Sequence, residues 1–168
     1  MNAIDAIRLT IDHAHEWFQG TIADLTQEQA DFVPPGKAHP IGETVAHVIQ
    51  SEDSILNGMI RGKPTLWESE GWGERLRIPD VTMHTEEQAR QFRCDLEALR
   101  PYQEAVYASV AEFLDSATEA DLAREVQSAI GPMTVADGLT NALVGNTLVH
   151  TGEISALKGV QGAKGYPM

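Results

Sequence analysis

His150 and Glu153 stand three residues apart, and Asn146 stands four before His150, inside a stretch that otherwise carries an apolar residue every three or four positions. On a helix that spacing stacks side chains on one face. Stepping by 100° from Val135, the inward face reads Val135, Leu139, Leu143, Asn146, His150, Glu153 or Ile154, and Leu157. Imidazole, carboxylate and amide groups in such a stripe can hold a divalent cation, and a His/Glu pair at this spacing is used in bundle metal sites. The plainer alternative is a core Asn/His pair that fixes helix register. Either way these groups need partners, because a buried polar group left unsatisfied costs about 1–3 kcal/mol.

Ligands from one helix need a partner from another. His47 lies in a helical pattern with Val45, Val48, Glu52 and Ile55, but the same arithmetic puts it on the face opposite that stripe, exposed or lining a cleft. His15, at the edge of the first helix's apolar face, is the next candidate, whereas His13, His39 and His84 read as surface or loop histidines with no assigned role. Other chemistries lack their residues. The chain has no GxSxG elbow, P-loop, GxGxxG or CxxC, and its acidic residues scatter over helix surfaces. Cys94 is the single cysteine, which rules out an internal disulfide.

The elements that must position these residues follow from periodicity. Ile4, Ile7, Ile11, Ala14, Phe18, Ile22 and Leu25 step by three or four and predict a helix from about Asn2 to Ala23. Thr26 to Gln29 reads as a capping box, and Pro34 to Pro40 as a connecting loop. A second long helix follows from Ile41 to Met59, stopped by Gly62 and Pro64. Lys63 to His84, with Pro64, Gly71, Gly73 and Pro79 around Trp67 and Trp72, predicts a long loop that could cap a site as a lid. Thr85 to Asp115 predicts a helix in two pieces, the second starting just before Pro101. Thr134 and Asp137 cap a fourth long helix over about Val135 to Lys158. No strand-like alternation is seen, so the expected class is all-α.

At 168 residues the chain fits one domain, 1–168, with enough apolar content to bury a core. Lys and Arg number 12 against 25 Asp and Glu, and the net charge of −13 argues against nucleic acid and anionic membrane surfaces as partners. Met1 to Asp12 lacks the basic start and apolar run of a signal peptide, and Gly138 to Gly152 is too polar to span a bilayer, so the expected compartment is the cytoplasm.

Taken together, the stretch Ile41 to His47, the stretch Asn146 to Ile154, the order of four helices and the Gly-rich tail from Gly159 to Pro167 resemble the DinB-like superfamily, including its YfiT-type metal-dependent bundles. The resemblance implies a four-helix bundle with a long crossover between the second and third helices. It also implies a divalent metal, zinc or nickel, held by one histidine of the second helix and two at HxxxH spacing on the fourth. His47 and His150 match two of those positions; Asn146 stands at the third, and Glu153 is the nearby carboxylate able to replace it. By the same resemblance the expected activity is that of a metal-dependent transferase or hydrolase acting on a small electrophile with a low-molecular-weight thiol, in a homodimer whose pairing uses apolar surface left on the second and third helices. The alternative is a metal-free bundle that binds a small molecule or a protein in the same cleft.

Overall fold

The computed structural model describes residues 1–167 and is mostly helical. Helix α1 (Ala3–Ile22) starts at a capping box in which Asn2 and Asp5 satisfy each other's backbone N–H groups. It buries Ile7, Ile11, Ala14, His15, Phe18 and Thr21. Helix α2 (Gln27–Asp31) opens on the expected Thr26/Gln29 box. Helix α3 (Ile41–Asp53) runs on through a π-helical stretch, Ser54–Ile60, and the chain then turns at Gly62 with positive φ.

The crossover is more ordered than its glycines and prolines predict. It contains two short helices, α4 (Leu66–Ser69) and α5 (Trp72–Leu76). Asp53, fully buried on α3, accepts hydrogen bonds from the backbone N–H groups of Leu66 and Trp67 at 3.0 and 2.9 Å and from the Tyr102 hydroxyl at 2.7 Å. Trp67 and Trp72 pack on the Tyr102 ring at 5.5 and 5.4 Å, so both tryptophans cover the core rather than a site.

Helix α6 (Glu86–Gln91) is followed by an extended break and by α7 (Leu96–Ser116), which is capped by Asp95. The two-piece expectation is met, but the break falls at 92–95 and Pro101 sits inside α7, where it removes one backbone hydrogen bond without ending the helix. Helix α8 (Glu119–Ala123) leads into a two-stranded antiparallel hairpin, β1 (Glu125–Ser128) and β2 (Gly131–Thr134), with Ser128 opposite Gly131. This hairpin is a small addition to a fold that is mostly helical, as expected. Four-residue strands with one buried apolar side chain, Val126, are too short to show alternation in sequence.

Helix α9 (Val135–Asp137), a second π-helical stretch (Gly138–Val144) and α10 (Gly145–Val160) form one unbroken run, begun by the Thr134/Asp137 capping box. The i→i+5 closure of a π-turn widens the helix. An α-helix drifts about 40° for each step of four residues, and the wide turns absorb that drift. The buried series is therefore Val135, Leu139, Leu143, Thr147 and Thr151, every fourth residue. From position 146 onward the core face lies one residue later than a straight α-helix puts it.

Helix α1 packs along α10, α10 along α3, and α3 along α7, while the two π-helical stretches pack on each other. That last contact is close: a Cβ at Gly138 would lie 3.1 Å from Met59 Cε and 3.3 Å from Ile60 Cδ1. One apolar cluster gathers around Phe18, Val45, Ile49, Tyr102 and Ile154, and a second around Ile11, Leu56, Ile60, Leu139 and Leu143. Every residue of α3 except His47 and Ser51 is buried, so the apolar face expected for dimer pairing on the second helix is already covered within the chain. Among the described residues, α7 exposes no large apolar side chain either.

Candidate functional site

Glu43, His47 and Ser51 recur every four residues and line up on one side of α3, with His39 one further step of four before the helix. Facing them is the end of the crossover, 79–84. Gln50, itself buried, fixes that segment: its Oε1 accepts from the Val81 N–H at 2.6 Å and its Nε2 donates to the Pro79 carbonyl at 3.2 Å. From the other side, α10 contributes His150 and Glu153. The three elements enclose a cavity of about 110 Å³, lined by His39, Glu43, Thr44 and His47, by Val81, Thr82 and His84, and by His150 and Glu153. His39, Thr44, His150 and Glu153 also line a wider recess of about 390 Å³, whose other walls are Lys37, Ala38, Ala156 and Leu157.

The His47 and His150 rings meet edge to face, 4.8 Å between centroids and 74° between planes. His47 Nδ1 lies 3.4 Å from the Val81 carbonyl, and its Nε2 lies 3.3 Å from Ser51 Oγ. Since a carbonyl only accepts, Nδ1 carries the proton and Nε2 keeps its lone pair. Burial, and then the nearby His150, hold the His47 imidazole below its ordinary range, which favours the neutral form that ligates metals. His150 Nδ1 is 2.5 Å from Glu153 Oε2. Deeper in, Glu43 is 2% exposed; its Oε2 is 3.0 Å from His39 Nδ1 and its Oε1 is 3.8 Å from His84 Nδ1.

The sequence-predicted residues divide. His47, His150 and Glu153 come together at this cavity, and Asn146, half-buried one turn away, is not among its lining residues. The π-helical stretch explains the separation: it sends Thr147 and Thr151 into the core, where they donate to the carbonyls of Leu143 and Thr147. His15 is committed elsewhere, 2.7 Å from Glu52 Oε1 and stacked on Tyr107. Sequence reasoning missed His39, Glu43 and His84. The recurrence of His39, Glu43 and His47 at steps of four could have flagged the first two, whereas only tertiary folding brings His84 to α3.

Donor chemistry suits a divalent cation. Two imidazoles sharing one zinc at Zn–N distances of about 2.0–2.1 Å have centroids roughly 4.5–5.2 Å apart, and the observed pair falls in that range. Among the described residues, however, no three His, Cys, Asp or Glu side chains already converge as a complete ligand set. Cys94 offers no thiolate: burial pushes its thiol up to about 12, and Sγ points to the Gly42 carbonyl.

Comparison with known proteins agrees with this architecture. A crystal structure of a conserved protein from Enterococcus faecalis is 25% identical, with a TM-score of 0.81 over 96% of this chain and 99% of that one. Curated proteins give no match. The family model described as the DinB superfamily matches residues 10–154, a span that holds His47, His150, Glu153 and the crossover between them. With most of its length matched, this chain belongs to the DinB superfamily.

Proposed function

We propose that the four long helical runs form a DinB-type four-helix bundle whose cleft binds a divalent cation, zinc or nickel, and serves a transferase or hydrolase reaction on a small electrophile with a low-molecular-weight thiol as cosubstrate. The observation that carries this reading is the pair of imidazoles from two different helices, His47 and His150, held 4.8 Å apart beside a carboxylate. His47, His150 and Glu153 would hold the ion, and Asn146 is left out because it lies outside the cavity lining. The bound ion would act as a Lewis acid that lowers the pKa of a thiol or water.

The chain's own residues prepare the site. The Val81 carbonyl orients the His47 ring. Thr44 and Thr82 offer hydroxyls at the cavity wall, and Ala38, Ala156 and Leu157 give the outer recess an apolar floor for the body of a small molecule. The chain is also proposed to pair as a homodimer through the outer face of α10, where Leu148 and Val149 are exposed.

Elemental analysis of protein purified without a polyhistidine tag tests the reading. About one equivalent of zinc or nickel per chain, lost in His47→Ala and His150→Ala, is the expected result. No metal even after dialysis against zinc or nickel would overturn it. That outcome would favour a metal-free small-molecule-binding bundle, a reading supported by the absence of a converged ligand set among the described residues.

A further inference from the structure

A second cavity, of about 280 Å³, opens between the end of α1, the middle of α3 and the first turns of α7. Val45 and Ile49 stand two residues to either side of His47, so they lie roughly opposite it around α3. The two cavities share no lining residue. Val45, Ile49 and Leu99, each at most 2% exposed, form the floor, and the half-buried Ile22, Leu25 and Leu96 form the walls. An apolar hollow of this size, just below the usual range of ligand pockets, suits a single ring or a short alkyl chain.

The polar groups at its mouth select the head group. Gln103 is 7% exposed and donates its Nε2 to Tyr107 Oη at 2.9 Å, while its Oε1 accepts from no group among the described residues. Arg100 is already paired with Glu97 at 2.9 Å, whereas Glu104 makes no ion pair among the described residues. The start of α7 is closed to anions, because its first N–H groups all have partners. That of Leu96 donates to Gln27 Oε1, those of Glu97 and Ala98 to Asp95 Oδ1, and that of Leu99 to the Asp95 carbonyl. An acceptor and a carboxylate over an apolar floor are what remains, and their complement is a charged N–H donor on a hydrocarbon body.

We propose that this cavity binds a small primary ammonium ion with an aromatic or short alkyl body. The hydrocarbon packs on Val45, Ile49 and Leu99, and the ammonium donates to Gln103 Oε1 while Glu104 balances its charge. The site is independent of the cation reading of the His47–His150 cavity.

Titration of the untagged chain with phenethylammonium, phenylacetate and phenethyl alcohol, followed by amide chemical shifts, tests the assignment. Phenethylammonium is expected to shift the amides of Val45, Ile49 and the first turns of α7, to bind about 10-fold more tightly than the alcohol, and to have no counterpart in phenylacetate. Gln103→Leu should weaken it by about 10-fold and Glu104→Gln by about 2–5-fold. Ala23→Trp, which plugs the mouth from an exposed position, should abolish binding. Binding of the alcohol or of phenylacetate as tight as that of the ammonium would overturn the proposal. So would parent affinity in Ala23→Trp, shifts centred on another part of the chain, or no binding at all. Should Gln103→Leu fail to fold by circular dichroism, the ranking of the three probes and the two exposed variants decide alone.

Discussion

Gln50 grips Val81 across the gap between α3 and the crossover, with its Oε1 2.6 Å from the Val81 backbone nitrogen. Because the same side chain also holds the Pro79 carbonyl, one residue sets the height of Val81, Thr82 and His84 over His47. Gln50→Ala leaves a buried N–H without a partner, so a loss of about 1–3 kcal/mol in urea unfolding is expected. Faster hydrogen exchange confined to the segment 79–84 would show that the strap, and not the whole fold, has been released.

Lys158 is buried on α10, and its ammonium reaches the Thr21 carbonyl at 2.7 Å and Asp24 Oδ1 at 2.5 Å. That hydrogen bond and charge hold the Asp24 carboxyl below its ordinary value of 3.8. A carboxylate with a depressed folded-state pKa stabilises the fold above its unfolded value, and the gain is lost as pH falls through the folded value. Asp24 is itself exposed, which screens the pair. Asp24→Asn should therefore cost about 1 kcal/mol at pH 7 and progressively less as the pH is taken below 3.8. A difference from the parent that stays constant as the pH falls below 3.8 would refute this account.

Much of this could be read from the chain. The four long runs, the capping boxes at Thr26, Thr85 and Thr134, and the approach of His47 to His150 all follow from local spacing together with the family resemblance. What local spacing misses has physical causes. The hairpin is too short to alternate, α4 is held by Asp53 from another helix, and the phase of α10 is set by wide turns whose sequence carries no proline or glycine pair to announce them. His84 and Glu43 escaped because one sits in a loop and the other looked like a solvated helix charge, although Glu43 is 2% exposed.

Cys94 gives a reactivity test of burial. Desolvation comes first among the causes that push its thiol to about 12, with Asp31 and Asp95 adding negative charge nearby. At pH 8 the native chain should react with a thiol-specific disulfide reagent at less than about a hundredth of the rate of the same chain in denaturant. Equal rates would mean that this corner of the core opens freely.

The proposed homodimer pairing through α10 makes its own demand. Leu148 and Val149 are 44% and 64% exposed, and they leave an apolar edge on the outer side of the helix that also carries His150. Sedimentation equilibrium at micromolar concentration should give a dimer for the parent and a monomer for Val149→Glu, since a charge placed in an apolar interface loses its hydration without a partner. A parent that sediments as a monomer would remove α10 as an interface.

The phase of the last helix separates two adjacent positions. In a straight α-helix Asn146 would share the inward stripe with Leu139 and Leu143, and Thr147 would lie off it. The π-helical stretch Gly138–Val144 reverses their places: Thr147 is 0% exposed and donates to the Leu143 carbonyl, while Asn146 is half-buried. Thr147→Arg must bury a long charged side chain among core residues and should cost about 3–5 kcal/mol. Asn146→Arg has room for the guanidinium to reach water along its own stem, so a change within about 1 kcal/mol is expected. Urea unfolding of both variants, followed by circular dichroism, reads the phase directly. The opposite order of stabilities would show that the helix keeps straight α-helical register and that Asn146, not Thr147, faces the interior.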